Sequence, residues 1–287
     1  MRSLLLLTLF VLAPFTYADV AQTTIQTRVV GIDQAEVPGQ DHLVMLSNDG
    51  RVGFLSPSNL EILQTLLMGV PQNTEFAVTL DANHYITAVK ALTSPKPEAA
   101  SSSQAFHPLD VAENYTPTLV ANDQVLNAIF AELNPNWSSD TQCYDKAEVW
   151  SYEEFNKRNL HSKKVFLFFT SKYIREFRYQ WWFHVSPFVL VNENGVTHEK
   201  VIDETFLATP TDIDTWTQIF MQPKMPCPSV DHYSDYANHQ NESYCYVIKT
   251  SMYFWQPKDI QALESGTPAK TSFPAFDVKT AYSDGFH

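Results

Sequence analysis

With 287 residues, 44% of them hydrophobic, the chain is long enough for two modest domains with packed cores. A formal net charge of -13 argues against duplex nucleic acid or an anionic membrane surface as partner, since either would need a basic face. Past the N-terminal run, no stretch is apolar for long enough to cross a bilayer, so no integral membrane segment is expected.

Met1-Arg2, an apolar run from Leu4 to Ala13 and the segment Pro14 to Ala18 predict a secretory signal peptide over 1–18, cut after Ala18. That places the mature chain in the periplasm or outside the cell. Residues 19–93 read as a small β-rich domain. Its strands are Thr23 to Val30, His42 to Ser47, Arg51 to Leu55, Glu75 to Leu80 and Tyr85 to Val89, with a hairpin turn at Asn48-Asp49-Gly50. One helix interrupts them: Ser58 and Glu61 have capping-box spacing, Leu60, Leu63, Leu66 and Leu67 form its apolar face, and Gly69 is placed to end it. His84, in a turn beside Asp81 and Asn83, reads as a solvated loop residue. Residues 94–107, rich in Ser, Pro and Ala with few large apolar side chains, predict an exposed linker open to proteolysis.

The second domain, 108–287, begins with a helix capped by Asn122 or Asp123 and faced by Val125, Leu126, Ile129, Phe130 and Leu133. A second helix carries Tyr144, Ala147, Trp150 and Phe155, with Asp140 or Thr141 as cap and Cys143 in its first turn. Lys164 to Phe169 reads as a buried strand and Tyr173 to Val191 as a long aromatic one. Thr211 to Phe220 is expected as a short helix with Trp216 inward, Ser243 to Gln256 as a strand, and Pro257 to Leu263 as a helix with proline at its start. The C-terminal segment carries no readable pattern.

Asn192-Glu193-Asn194-Gly195 lies between two apolar runs and signals a hairpin. A four-residue loop sets His184 opposite Asp203; a two-residue loop at Asn194-Gly195 moves the register by two and still leaves both on one face. A three-residue loop or a bulge would separate them. Cys143 at a helix start, where partial positive charge and free N–H groups favour a thiolate and an oxyanion, then completes a possible set of nucleophile, base and orienting carboxylate. Trp182 shares the His184 face and is a candidate to line a substrate cleft. The alternative for His184 is a core histidine bonded to a backbone carbonyl, and for Asp203 a turn residue.

Three cysteines in an exported chain cannot all pair internally. Cys227 and Cys245 bracket a polar loop, and a bridge there would contribute roughly 3 kcal/mol. Cys143 is then the free thiol, which in an oxidising compartment is a liability unless used. Asp231, His232, Asp235, His239 and Glu242 gather ligand types in that loop, but their spacing matches no usual zinc pattern, and no metal is expected.

At Cys143-Tyr144-Asp145-Lys146-Ala147, at the aromatic residue before His184-Val185, and at Gly195 to Asp203 followed by Asp212 and Trp216, the chain resembles the bacterial protein-glutaminase family. These are secreted enzymes that deamidate glutamine side chains within proteins. The resemblance covers about half the chain, from Val120 to Ile260. It implies an α+β, papain-like or transglutaminase-like catalytic domain with an antiparallel sheet, Cys143 as nucleophile, His184 as base and Asp203 as its partner. It also implies no cofactor, and protein or peptide substrates with exposed glutamine. By position, the β-rich domain resembles the family's pro-region, which covers the cleft until removed. Glu148 stands where relatives tend to carry a basic residue or histidine, and Glu204 where proline often follows the aspartate. A monomer is expected. The rival readings are a cysteine endopeptidase or a transglutaminase using the same three residues, or a non-catalytic secreted interaction protein whose working part is the β-rich domain.

Overall fold

Five strands build the first sheet: β1 (Thr23–Asp33), β2 (His42–Leu46), β3 (Val52–Leu55), β4 (Glu75–Leu80) and β5 (Ile86–Ala91), in the antiparallel order β3-β2-β1-β4-β5. The computed structural model describes residues 22–35, 37–47, 50–92, 115–138 and 141–286; the predicted signal peptide and linker lie outside them. Period-2 alternation in β4 turns Phe76, Val78 and Leu80 inward. Phe54 N–H donates to His84 O at 2.8 Å, drawing the two edges of the sheet together around this core. Helix α1 (Leu60–Gly69) adds Leu63 and Leu66 to it, while Leu60 and Leu67 stay exposed. The capping box does not form. Asn59 is the N-cap without a side-chain bond, and the Ser58 hydroxyl pairs with that of Ser56.

The second sheet contains β6 (Leu119–Val120), β7 (Lys163–Phe169), β8 (Phe183–Glu193), β9 (Val196–Val201), β10 (Thr211–Asp212) and β11 (Cys245–Ser251). Its order is β10-β9-β8-β7-β11, antiparallel, with β6 added parallel to β8. Val165 to Phe169 are fully buried, as a continuous apolar run demands of a strand covered on both faces. Around the sheet lie α2 (Asp123–Ala131), α3 (Cys143–Arg158), α4 (Ser171–Phe177), α5 (Ile213–Phe220), α6 (Tyr233–Asn238), α7 (Pro257–Glu264) and α8 (Ala275–Gly285). Asn122 caps α2, its Oδ1 accepting from Val125 N–H at 3.0 Å. Gln256 and Asp259 form a capping box that encloses Pro257, the first residue of α7.

The expected long strand from Tyr173 is instead α4 followed by β8. The Thr170 hydroxyl accepts from Tyr173 N–H and starts a helical turn, Tyr173 and Ile174 bury themselves on the core, and Arg178, at φ 51°, ends it. Strand β11 stops at Ser251, short of the expected Gln256. Helices α6 and α8 carried no sequence signal; α8 buries only Val278, Ala281 and Gly285, too sparse an apolar face to stand out.

The two sheets share a core that includes Leu43, Val52 and Phe54 of the first. Main-chain bonds join Val52 N–H to Gln180 O and Trp182 N–H to Gly50 O, at 2.8 and 2.9 Å. Gly50, at φ +68°, approaches Phe183 so closely that a Cβ would lie 3.0 Å from its ring. Arg175 pairs with Asp33 at 2.6 Å and Arg178 with Asp41 at 3.0 Å. Cys227 and Cys245 form the disulfide. Among the described residues no helix is long and apolar enough to cross a membrane.

Candidate active site

Cys143 is the first residue of α3, half-buried and unbridged. Its N-cap is Gln142, in extended conformation and without a side-chain cap, so neither expected residue caps the helix: Thr141 donates instead to Gly285 O at 3.1 Å, and Asp140 lies outside the described residues. The first-turn N–H groups of a helix lack intrahelical partners and carry partial positive charge, a setting that suits an anion.

The hairpin that brings His184 toward Asp203 closes with two residues. Glu193 pairs with Val196, and Asn194 and Gly195 take φ of 54° and 87°, the pair of left-handed conformations that a type I′ turn requires. Val191 therefore faces His198 rather than Val196. Past the end of β9, Ile202 N–H bonds Pro187 O and Ile202 O accepts from Ser186 Oγ, so Asp203 lies beside Ser186, two residues along from His184. Period 2 keeps the side chains together: His184 Nε2 donates to Asp203 Oδ2 at 2.7 Å.

Trp216 Nε1 donates to the same oxygen at 2.9 Å, and the Trp216, Phe206 and Phe220 rings pack against the imidazole. Burial alone would pull the His184 pKa down. The Asp203 carboxylate, together with hydrogen bonds to Asp203 and Cys143, outweighs it and raises the pKa to about 9. With Nε2 committed to Asp203, Nδ1 is the ring nitrogen left for the thiol. These three side chains line a cavity of about 240 Å³, walled also by Lys146, Trp181 and Phe206.

Trp182 does not line this cavity. Its ring is buried, Nε1 donating to Leu46 O at 3.1 Å in the contact with the first sheet, while Trp181 takes the wall position. The alternation argument fails there because residues 181 and 182 precede β8. Among the described residues, none of the first sheet lines the cavity; its contact runs alongside, at 180–183. His84, expected to be solvated, is half-buried, with Nδ1 enclosed.

Sequence reasoning also missed two polar groups around α3. Lys146, one turn after Cys143, reaches the cavity and donates to Thr205 Oγ1 at 3.1 Å. On the inner face, Glu148 forms a fully buried ion pair with Lys164, whose Nζ also donates to Phe254 O at 2.8 Å. A basic residue at 148 would repel Lys164, so the departure from the family pattern has its compensation 16 residues away. Buried Asp145 is pushed up to about 8, by desolvation first and then by Asp284, against a bond from Trp255 Nε1 at 3.1 Å. The acidic and histidine side chains of the cystine loop do not converge: His232 faces Glu264 and His239 faces Glu242, and no group of three or more metal-ligating residues gathers among the described residues.

A family of proteins described as glutaminases matches residues 122–220, the segment that carries all three side chains. The crystal structure of a mutant pro-protein-glutaminase superposes with a TM-score of 0.50 at 16% identity, covering 89% of this chain and 97% of that one. The match over residues 122–220 and the shared fold support a protein-glutaminase assignment. A second crystal structure of pro-protein-glutaminase gives a TM-score of 0.47 at 17% identity over 81% of this chain and 84% of that one. The protein-glutaminase solved by NMR from Chryseobacterium proteolyticum gives 0.34 at 15% identity, over 49% and 78%. No curated protein matches. The α+β architecture with antiparallel sheets is shared with the pro-protein-glutaminase fold, and the glutaminase match supports deamidase function in general.

Proposed function

We propose that this chain is a secreted enzyme that deamidates glutamine side chains in proteins through a thioester on Cys143. The observation that carries the reading is His184, bonded to the Asp203 carboxylate and turned to a thiol at a helix N-terminus inside one cavity. The Cys143 thiolate attacks the carboxamide carbon. The tetrahedral oxyanion is held by N–H groups at the start of α3, that of Cys143 among them. Imidazolium His184 gives its proton to the departing ammonia, then takes one from water as the water attacks the thioester carbonyl; the C–S bond breaks and glutamate leaves. Asp203 fixes the tautomer and steadies the imidazolium, and no step calls for a cofactor. The order Cys, His, Asp, with the thiol on a helix and the other two on antiparallel chain, fits a core of the papain or transglutaminase kind.

The domain division follows from the same reading. Residues 19–93 are an inhibitory pro-domain, 94–107 the segment cut to remove it, and 108–287 the catalytic part. In support, the first sheet grips residues 180–183 directly beside the cavity. Export through the segment 1–18 agrees with the disulfide, since such bridges persist outside the reducing cytosol.

Ammonia release from casein and from free glutamine tests the reading, using wild type and Cys143→Ala, each intact and nicked within 94–104. Release from casein by wild type, increased by nicking and abolished in Cys143→Ala, is expected. A folded, nicked wild type that releases none would overturn it.

A further inference from the structure

Lys146 has no part in the steps above, yet its side chain enters the cavity. It lies one helical turn beyond Cys143, on the same side of α3, and its Nζ is held by Thr205 Oγ1 at 3.1 Å. Its charge is felt by Cys143 and Asp203, and desolvation pulls its pKa below the usual lysine value. Among the residues lining the cavity it is the one Lys or Arg, and the one carboxylate there, Asp203, is already taken by His184 and Trp216. Apart from Cys143 and from His184, which has given its proton to the departing ammonia once the acyl-enzyme forms, the rest of the wall is aromatic or neutral: Trp181, Phe183, Phe206 and Phe220 among it. An incoming ammonium would therefore meet a fixed cation and no free carboxylate.

We propose that Lys146 selects the acyl acceptor, excluding alkylamines so that the Cys143 thioester is passed to water. The inference rests on the deamidase reading above. A thioester accepts either nucleophile. With water, the oxygen attacks, the C–S bond breaks and glutamate forms. With a primary amine, the nitrogen attacks the same carbonyl carbon, His184 takes the amine's proton, the thiolate leaves and an isopeptide-type amide remains. Alkylamines near neutral pH are almost wholly ammonium ions, so nearly every approach to the cavity is made in that form, the extra proton passing to solvent before the neutral amine attacks. Repulsion from Lys146 raises the energy of that approach and leaves neutral water untouched. Thr205 keeps the ammonium aimed into the cavity instead of free in solvent. One charge thus separates a hydrolase from a transferase built on the same three residues.

The readout is a partition ratio, amine incorporated over ammonia released from casein, with a fluorescent cadaverine as acceptor and nicked protein throughout. Each acylation releases one ammonia whichever nucleophile follows, so the ratio is the fraction of acyl-enzyme passed to the amine and does not depend on how much of a variant is folded or how fast it acylates. Wild type and Lys146→Arg should give the same low ratio, and Lys146→Met and Lys146→Gln should raise it about tenfold or more. An unchanged ratio in both neutral variants overturns the inference. So does loss of all turnover in both with the wild-type melting profile, which would make Lys146 catalytic. A measurement on wild type alone removes dependence on the variants. Hydroxylamine, largely neutral at pH 7, should intercept the acyl-enzyme in preference to methylamine by more than the ratio the two show toward a simple thioester in solution. Equal preference overturns the inference. Absence of ammonia release by wild type would instead overturn the deamidase reading itself.

Discussion

Two buried polar clusters flank α3, and they are satisfied to different degrees. On the cavity side, the Asp203 oxygen that accepts from His184 also accepts from Trp216, so a carboxylate with little exposure meets two donors. On the inner side, Glu148 and Lys164 hold each other, but Glu148 Oε1 and Asp145 Oδ2 have no hydrogen-bond partner among the described residues. Burial penalises the charged form in both places, and only on the cavity side is the penalty turned to use: it sharpens a field on an imidazole that must carry a proton. The inner cluster anchors the helix. Its unmet oxygens are the expected cost of placing acids at positions 145 and 148 under a packed core.

Replacing each cluster's central partner would separate the two roles. Asp203→Asn keeps an acceptor for Trp216 but misdirects the His184 tautomer, and deamidation should fall about 10⁴-fold with little change in melting temperature. The pH profile sharpens this. His184 is raised from 6.5 to about 9, so its charged pair with Asp203 contributes stability that is fully present below about 6.5 and lost as pH rises through about 9. The alkaline limb of kcat/KM should lie near 9 in wild type and move down in Asp203→Asn. Lys164→Met should do the reverse, lowering stability by about 3–5 kcal/mol because Glu148 is left buried without its partner. Joining it to Glu148→Leu should restore most of the loss in denaturant titrations; failure to do so would mean the pair itself is what α3 needs.

Smaller effects probe the periphery of each cluster. Trp216→Phe removes one donor from Asp203 and should lower kcat about tenfold at unchanged KM. A change in KM alone would assign Trp216 to substrate binding. Asp145→Asn should raise the melting temperature by about 2–4 °C at pH 8–9 and by nothing near pH 4. The sign follows from a folded pKa of about 8 set above the unfolded 3.8: the native state holds a proton that the unfolded chain has lost, so wild-type stability declines as pH rises across that window.

Local chemistry was legible in the sequence; long-range pairing was not. Asn194-Gly195 announced its own turn, and period 2 then carried His184 to the side of Asp203 for a loop of two or of four residues. The helix start at Cys143 was readable from the spacing of Tyr144, Ala147 and Trp150, although the cap was not, because Gln142 caps through backbone geometry alone. The segment from Tyr173 misled because its aromatics favour strands, whereas Thr170 and the core determine a helix. Trp181 and Trp182 exchanged places for want of any signal that β8 starts at Phe183. Glu148 with Lys164, and Lys146 with Thr205, are tertiary pairs with no local pattern to disclose them.

The grip of the first sheet on residues 180–183 bears on what the proposed cut between the two parts would accomplish. While the chain is whole, the two parts meet at an effective concentration that their covalent connection sets and that dilution does not change. A cut leaves every contact in place: the main-chain bonds at Gly50 and Val52, the Trp182 indole on Leu46, and the Arg175 and Arg178 pairs with Asp33 and Asp41. What changes is molecularity, from a one-chain equilibrium to a two-chain one. Under the proposed cleavage, the freed fragment would depart only when the mixture is diluted below the dissociation constant of that interface, so protease and volume would act together.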